Sequence, residues 1–255
     1  MRLKHKLIDD IAYYYVSNPR NFVGCPIAST DIQKVISFAY EMCFGEGHHR
    51  NCRTGGQYGR KNGEKCCNTF QGKLAEMVLY HYFKTQNLNC KEPDFEIHGK
   101  GIWDDCDLEI NGKKINVKSA AFQSNLLLLE TKDWNEKGQY LPNLLATSSA
   151  VIQYDYFILV RIQPDIKKLF ASKKCLYSDT IIKEDLEKLI TDSDWSFDIA
   201  GYCSHSDFVK TIEQHKILPQ NAMLNQYTKM DASNYYIQSG DLNPINDLAK
   251  NLRNS

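Results

Sequence analysis

The sequence predicts an α/β fold, a mixed central β-sheet flanked by helices, and three observations carry that prediction. Two stretches repeat apolar residues at helical spacing. Two others are short apolar or β-branched runs of strand character. An Asn-Gly pair joins two alternating segments as a hairpin turn would. The chain has 255 residues, 42% of them hydrophobic. That suffices for a single domain over 1–255 with one good core.

The first helix is expected over Asp31–Phe44, where Ile32, Val35, Ile36, Ala39 and Met42 recur and Thr30 or Asp31 stands ready as a cap. Residues 45–67, GEGHHRNCRTGGQYGRKNGEKCC, are rich in glycine and nearly devoid of aliphatic side chains, so they read as a loop. Between His48 and Lys65 lie Arg50, Arg53, Arg60, Lys61 and Lys65 against Glu64 alone, a local charge of +4. A second helix follows over Thr69–Thr85, capped by Asn68 or Thr69. One of its faces carries Leu74, Met77, Val78 and His81; the neighbouring one carries Lys73, Glu76, Tyr80 and Phe83.

Residues 104–119, DDCDLEINGKKINVKS, form the hairpin. Asn111-Gly112 is the turn dipeptide that tolerates positive φ at both positions, and accepting it fixes the register. Leu108 then faces Ile115, Asp107 faces Asn116, Cys106 faces Val117 and Asp105 faces Lys118. Alternation places Cys106, Leu108, Ile110, Ile115 and Val117 on one face, with Asp105, Asp107, Glu109, Lys114, Asn116 and Lys118 on the other. The plain reading of that polar face is a solvated surface with cross-strand pairs Glu109–Lys114 and Asp105–Lys118. The other reading is the metal-binding edge of an active site.

Two more strands follow, at Ser124–Glu130 and in the run YDYFILVRI at Tyr154–Ile162, which Pro164 ends. Residues 165–255 form a C-terminal extension. Within it Cys175–Ala200 holds seven acids against two lysines. Residues 220–241 mix amides, hydroxyls and Tyr227, Tyr235 and Tyr236, and read as an irregular surface that ends in a short strand, NYYIQ.

Formal net charge is zero, so nucleic-acid binding has to come from local patches. Nine cysteines, no apolar leader in Met1–Asp10 and no apolar run long enough to span a bilayer predict a cytoplasmic protein with reduced thiols and no membrane association.

Asp107, the hairpin and Asn116-Val117-Lys118, preceded by a helix containing GKLAE (Gly72–Glu76), resemble the PD-(D/E)XK nucleases, and most closely the type II restriction endonucleases. The resemblance covers roughly residues 69–162, the expected catalytic core. It implies a restriction-endonuclease-like fold and a Mg²⁺-dependent, sequence-specific endonuclease cutting double-stranded DNA to 5′-phosphate and 3′-hydroxyl ends, working as a homodimer. It assigns catalysis to Asp107, Asn116, Lys118 and Glu76, and metal binding to Asp107, Asn116, Glu76 and Val117. Asp105 is a reserve acid. Pro93-Asp94 spells the family's dipeptide too far upstream of Asp107 and is read as a turn. Where the family carries an acid before x-Lys, this chain has the neutral Asn116.

DNA contacts are expected from Arg50, Arg53, Gln57, Arg60, Lys61 and Lys65 in the loop, with Lys73, Ser119 and Gln123 nearby. Asn225, Gln226 and Lys229 are of the type that reads bases. Two alternatives share this core: a structure-selective repair or junction nuclease, and a DNA-binding protein with an impaired site. A zinc site drawn from Cys43, His48, His49, Cys52, Cys66 and Cys67 is a rival reading of the loop, although the spacing matches no standard ligand set.

Overall fold

The computed structural model describes residues 1–45, 59–97, 106–141 and 152–253. In chain order the first half comprises β1 (Lys4–Ile8), β2 (Ile11–Tyr15), β3 (Cys25–Pro26), α1 (Ser29–Phe44), α2 (Asn62–Thr85), β4 (Leu108–Ile110), β5 (Lys113–Ala121) and β6 (Leu126–Glu130). The second half comprises β7 (Tyr156–Gln163), α3 (Ile166–Ser172), α4 (Lys183–Thr191), β8 (Ser196–Ser204), α5 (His205–Glu213), β9 (Ile217–Leu218), β10 (Met223–Leu224), β11 (Thr228–Lys229), β12 (Asn234–Gln238) and α6 (Ile245–Arg253).

The central sheet has the order β3-β8-β7-β5-β4. It is mixed: β5 runs parallel to β7, while β4–β5, β7–β8 and β3–β8 are antiparallel. The hairpin forms in the expected register, Leu108 opposite Ile115 and Glu109 opposite Lys114. Asn111 and Gly112 both adopt positive φ, 47° and 75°, the requirement that selects Asn-Gly there.

One face of this sheet is covered by helices. Leu74, Ala75 and Val78 of α2, Val35 and Ile36 of α1 and Leu248 of α6 pack with Ile110, Ile115, Ile158 and Val160. The other face meets mostly another sheet. Phe157 and Leu159 pack with Leu127 and Leu129 of β6, Ile237 of β12 and Phe208 of α5. The second sheet has the order β6-β12-β9. Beyond it Leu126, Leu218 and Tyr236 meet Tyr14 and Leu224 of a third sheet, β1-β2-β10-β11. The α/β class and the mixed sheet therefore stand, with a layer of strands and α5 where a second helical layer was expected.

Three expectations need correction. The segment 45–67 is not loop to its end: α2 starts at Asn62, so Lys65, Cys66 and Cys67 are helical. The core overrides the local composition here, because Cys66, Cys67 and Phe70 are fully buried, and a Cβ on Gly63 would collide with the Cys175 carbonyl oxygen. NYYIQ is a buried central strand, β12, with Gln238 at 0% and Tyr236 at 4% exposure, and does not lie on an irregular surface. Cys106 leaves the face of Leu108 and packs with the opposite cluster, because the β4–β5 ladder stops at Leu108. The β1–β2 hairpin is an element the sequence pattern did not announce.

Candidate active site at the head of the hairpin

Asp107 stands just before β4, and its carboxylate does what the next backbone pair would have done. Oδ2 accepts the N–H of Val117 at 2.7 Å. In an antiparallel ladder the N–H and C=O of one residue point to the same edge. The Val117 carbonyl is therefore aimed at the strand edge where Asp107 sits. Even-numbered positions of β5 point their backbone groups the other way, as Lys114 shows by exchanging bonds with Asp155.

Side chains alternate likewise. Ile115 and Val117 pack on the α2 side, and Ser119 accepts a bond there from Gln71 Nε2 at 3.4 Å. Asn116 and Lys118 thus project onto the opposite face, that of Tyr154 and Phe157. Asn116 is 4% exposed, and its Oδ1 is buried with no hydrogen-bond partner among the described residues. Tyr154 lies against this group. Its phenol is held well above the ordinary tyrosine value, first by burial and then by the charge of Asp107, while a hydrogen bond from the Asn116 amide works the other way. Tyr140 packs edge-on to Tyr154, with ring centroids 6.0 Å apart. Lys118 is half-buried and has no ion-pair or hydrogen-bond partner among the described residues.

Asp107, Asn116, the Val117 backbone and Lys118 are therefore gathered along a few residues of one strand edge. Glu76 comes from α2, on the far side of the sheet from Asn116 and Lys118. Lys73 Nζ holds it at 2.6 Å and also lies over Phe38 and Phe95. Lys73 is accordingly engaged with Glu76. Asp94 accepts the N–H of Glu96 at 2.7 Å, the Asx turn expected of Pro-Asp. Asp105, Arg50, Arg53 and Gln57 lie outside the described residues. Lys61 pairs with Asp179 at 2.7 Å, Lys65 reaches Asn62 Oδ1 at 3.3 Å, and Gln123 Nε2 donates to Asp165 at 3.0 Å.

Tyr154 is the member the sequence reading missed. Its only sequence signal is its place one turn of pleat before a buried strand, which does not distinguish it from a core tyrosine.

The donor set suits magnesium more than zinc. Asp107, Asn116 Oδ1 and the Val117 carbonyl are hard oxygens, which Mg²⁺ prefers alongside several waters. Among the described residues no group of three or more His, Cys, Asp or Glu side chains is assembled to hold a metal. Of the zinc candidates, His48, His49 and Cys52 lie outside the described residues. Cys66 and Cys67 are buried thiols with raised pKa, Cys66 through a hydrogen bond with Cys43 and then burial, Cys67 through burial, which opposes the thiolate that zinc requires.

No helix among the described residues is long and apolar enough to cross a membrane. Comparison with protein-family models, curated proteins and solved structures found no match to this chain.

Proposed function

We propose that the protein is a Mg²⁺-dependent, sequence-specific endonuclease of double-stranded DNA. The observation that carries this reading is the buried Oδ1 of Asn116, without a hydrogen-bond partner among the described residues, beside a carboxylate fixed to the same strand. A buried polar atom without a partner costs roughly 1–3 kcal/mol, and a cation beside it would relieve that cost. Asp107, Asn116 and the Val117 carbonyl would hold Mg²⁺, which when bound supplies acidification of a water and polarisation of the scissile phosphate. Lys118, on the same face, would orient the attacking water and balance charge that builds on the phosphate oxygens. Asp107, pinned by the Val117 N–H, keeps its second oxygen on a fixed bearing. Cleavage on these terms leaves 5′-phosphate and 3′-hydroxyl ends. A homodimer would cut both strands of a symmetric site.

The test is digestion of unmethylated plasmid DNA with magnesium. Discrete fragments are expected, lost in Lys118→Ala and Asp107→Ala with DNA binding kept. Full cleavage by Lys118→Ala would sink the reading. Random cutting of branched DNA alone would favour a structure-selective repair or junction nuclease.

One observation favours a second reading, a DNA-binding protein with an impaired site: position 116 is an amide, so the described site holds a single carboxylate. That protein would bind DNA with strong salt dependence and cut nothing, even after Asn116→Asp.

A further inference from the structure

A cavity of about 770 Å³ opens where β5 leaves the central sheet, at Ala121. Ala121 lies three positions beyond Lys118, roughly 10 Å of extended chain. The cavity is thus distinct from the Asp107 constellation but lies along the same strand.

Its floor is built rigidly. Asn125 Oδ1 accepts from Ser239 Oγ at 2.7 Å, Arg161 Nη1 at 3.1 Å and the Arg20 N–H at 3.2 Å. Asn125 Nδ2 donates to the Gln123 carbonyl at 3.3 Å. Its walls include Leu126, Leu128 and Leu224. Around these stand Arg60 near the start of α2, Lys167 of α3 and Lys229 of β11, against the acids Glu64 and Asp231. Five further amides line it; Gln123 and Gln220 donate to Asp165 and to the Asp231 carbonyl, whereas Asn68, Asn221 and Asn225 have no side-chain hydrogen bond among the described residues. Asn225 and Gln226 take positive φ, 54° and 72°, in the turn from β10 to β11 that forms the rim.

This combination has a chemical meaning. Side-chain amides present a donor and an acceptor together, the pattern that pairs with a base edge. Aliphatic walls cover the faces of a planar ring, and cations take phosphate. A hollow of this volume matches a small ligand and cannot admit a duplex. We propose that it holds a single nucleotide, either one turned out of the bound DNA or a free mononucleotide. Assigning the source to DNA rests on the endonuclease reading; the pocket chemistry does not. Turning a nucleotide out costs least where it is already unpaired.

The experiment measures binding in the presence of a chelator, so it needs no cleavage. The full chain is titrated against a short labelled duplex, the same duplex carrying one unpaired adenosine, and dAMP by calorimetry. The unpaired site should bind about tenfold or more tighter than the paired duplex, the discrimination expected of one good base contact. Asn225→Asp, which tolerates the left-handed backbone at φ 54° but loses the amide donor, and Asn68→Leu should each abolish that preference with an unchanged melting curve. Should Asn68→Leu misfold, Asn68→Asp serves instead, since a carboxylate keeps the shape but loses the donor. Preference for the unpaired site without dAMP binding assigns the pocket to DNA; dAMP binding without that preference assigns it to free nucleotides. Equal affinity for both duplexes together with no dAMP binding overturns the proposal. In that last case magnesium-dependent cleavage by the same preparation would leave the endonuclease reading intact.

Discussion

The carboxylate of Asp107 accepts the backbone N–H of Val117 at 2.7 Å, one residue from Asn116 and one from Lys118. The strand pairing ends at Leu108, and an acidic side chain, not a backbone carbonyl, satisfies the next donor. The carboxylate is thereby both a structural acceptor and, among the described residues, the one negative charge of the candidate metal site.

Those two roles separate by substitution. Asp107→Asn keeps an oxygen able to accept from Val117 but removes the charge, so it should melt close to the parent protein while losing cleavage by about a hundredfold or more. Asp107→Ala removes both, and should in addition lose roughly 1–3 kcal/mol of stability. Thermal melts and plasmid cleavage on the two variants check this. Equal destabilisation by both would show that the Val117 bond contributes nothing.

Asn116→Asp tests the amide. A carboxylate there would lie buried beside Asp107 and Tyr154, so burial and like charge would raise the pKa of the pair and weaken the metal-free fold. Magnesium binding to the folded state offsets that penalty. The melting temperature of Asn116→Asp should therefore rise more on adding magnesium than that of the parent, and cleavage should be at least as fast. If magnesium moves neither melting curve, the oxygens do not form a metal site.

Much of this edge was legible beforehand because turn chemistry is local. Asn111-Gly112 fixes the register, and the register fixes which side chains share a face. What the pattern did not disclose depends on distant packing. Asp107 bends out of the ladder, which sends Cys106 to the other cluster. Tyr154 arrives from the segment that leads into β7. The first residues of α2 are helical because Gly63 can approach the Cys175 and Leu176 carbonyls, although their composition is that of a loop. The three-stranded sheet needs β12, almost at the end of the chain, to sit between β6 and β9. No periodicity encodes a pairing of that sequence separation.

Arg161 is 0% exposed, and each of its five N–H groups has an acceptor. Nε and Nη2 reach Asp198 at 2.8 and 2.5 Å, Nη1 reaches the Arg20 carbonyl and Asn125, and Nη2 also reaches the Asn21 carbonyl. Arg161→Met strands a buried carboxylate and should cost about 3–5 kcal/mol by urea denaturation. Arg161→Lys should recover little, since an ammonium cannot reproduce the planar fork. Because Asn125 belongs to the same network, both variants should also loosen the floor of the cavity. A loss below about 1 kcal/mol would mean the network is dispensable.

Alkaline pH should destabilise the fold through its buried thiols. Burial raises Cys90 from an ordinary 9.0 to about 11, opposed in part by Lys84, and its Sγ donates to the Lys91 carbonyl at 3.6 Å. Burial acts in the same direction on Cys67 and Cys203. In the unfolded chain these thiols ionise near their ordinary value, whereas in the fold they keep their protons. Unfolding between those two values releases protons, so the stabilising contribution is complete below about pH 9 and is lost as pH rises through the folded value. Cys90→Ala removes one such group. The stability difference between parent and Cys90→Ala, read from urea denaturation, should be largest near pH 8 and shrink on approach to pH 11. A difference that stays constant over that window would mean that Cys90 titrates alike in both states and that its burial exerts no pull on the proton.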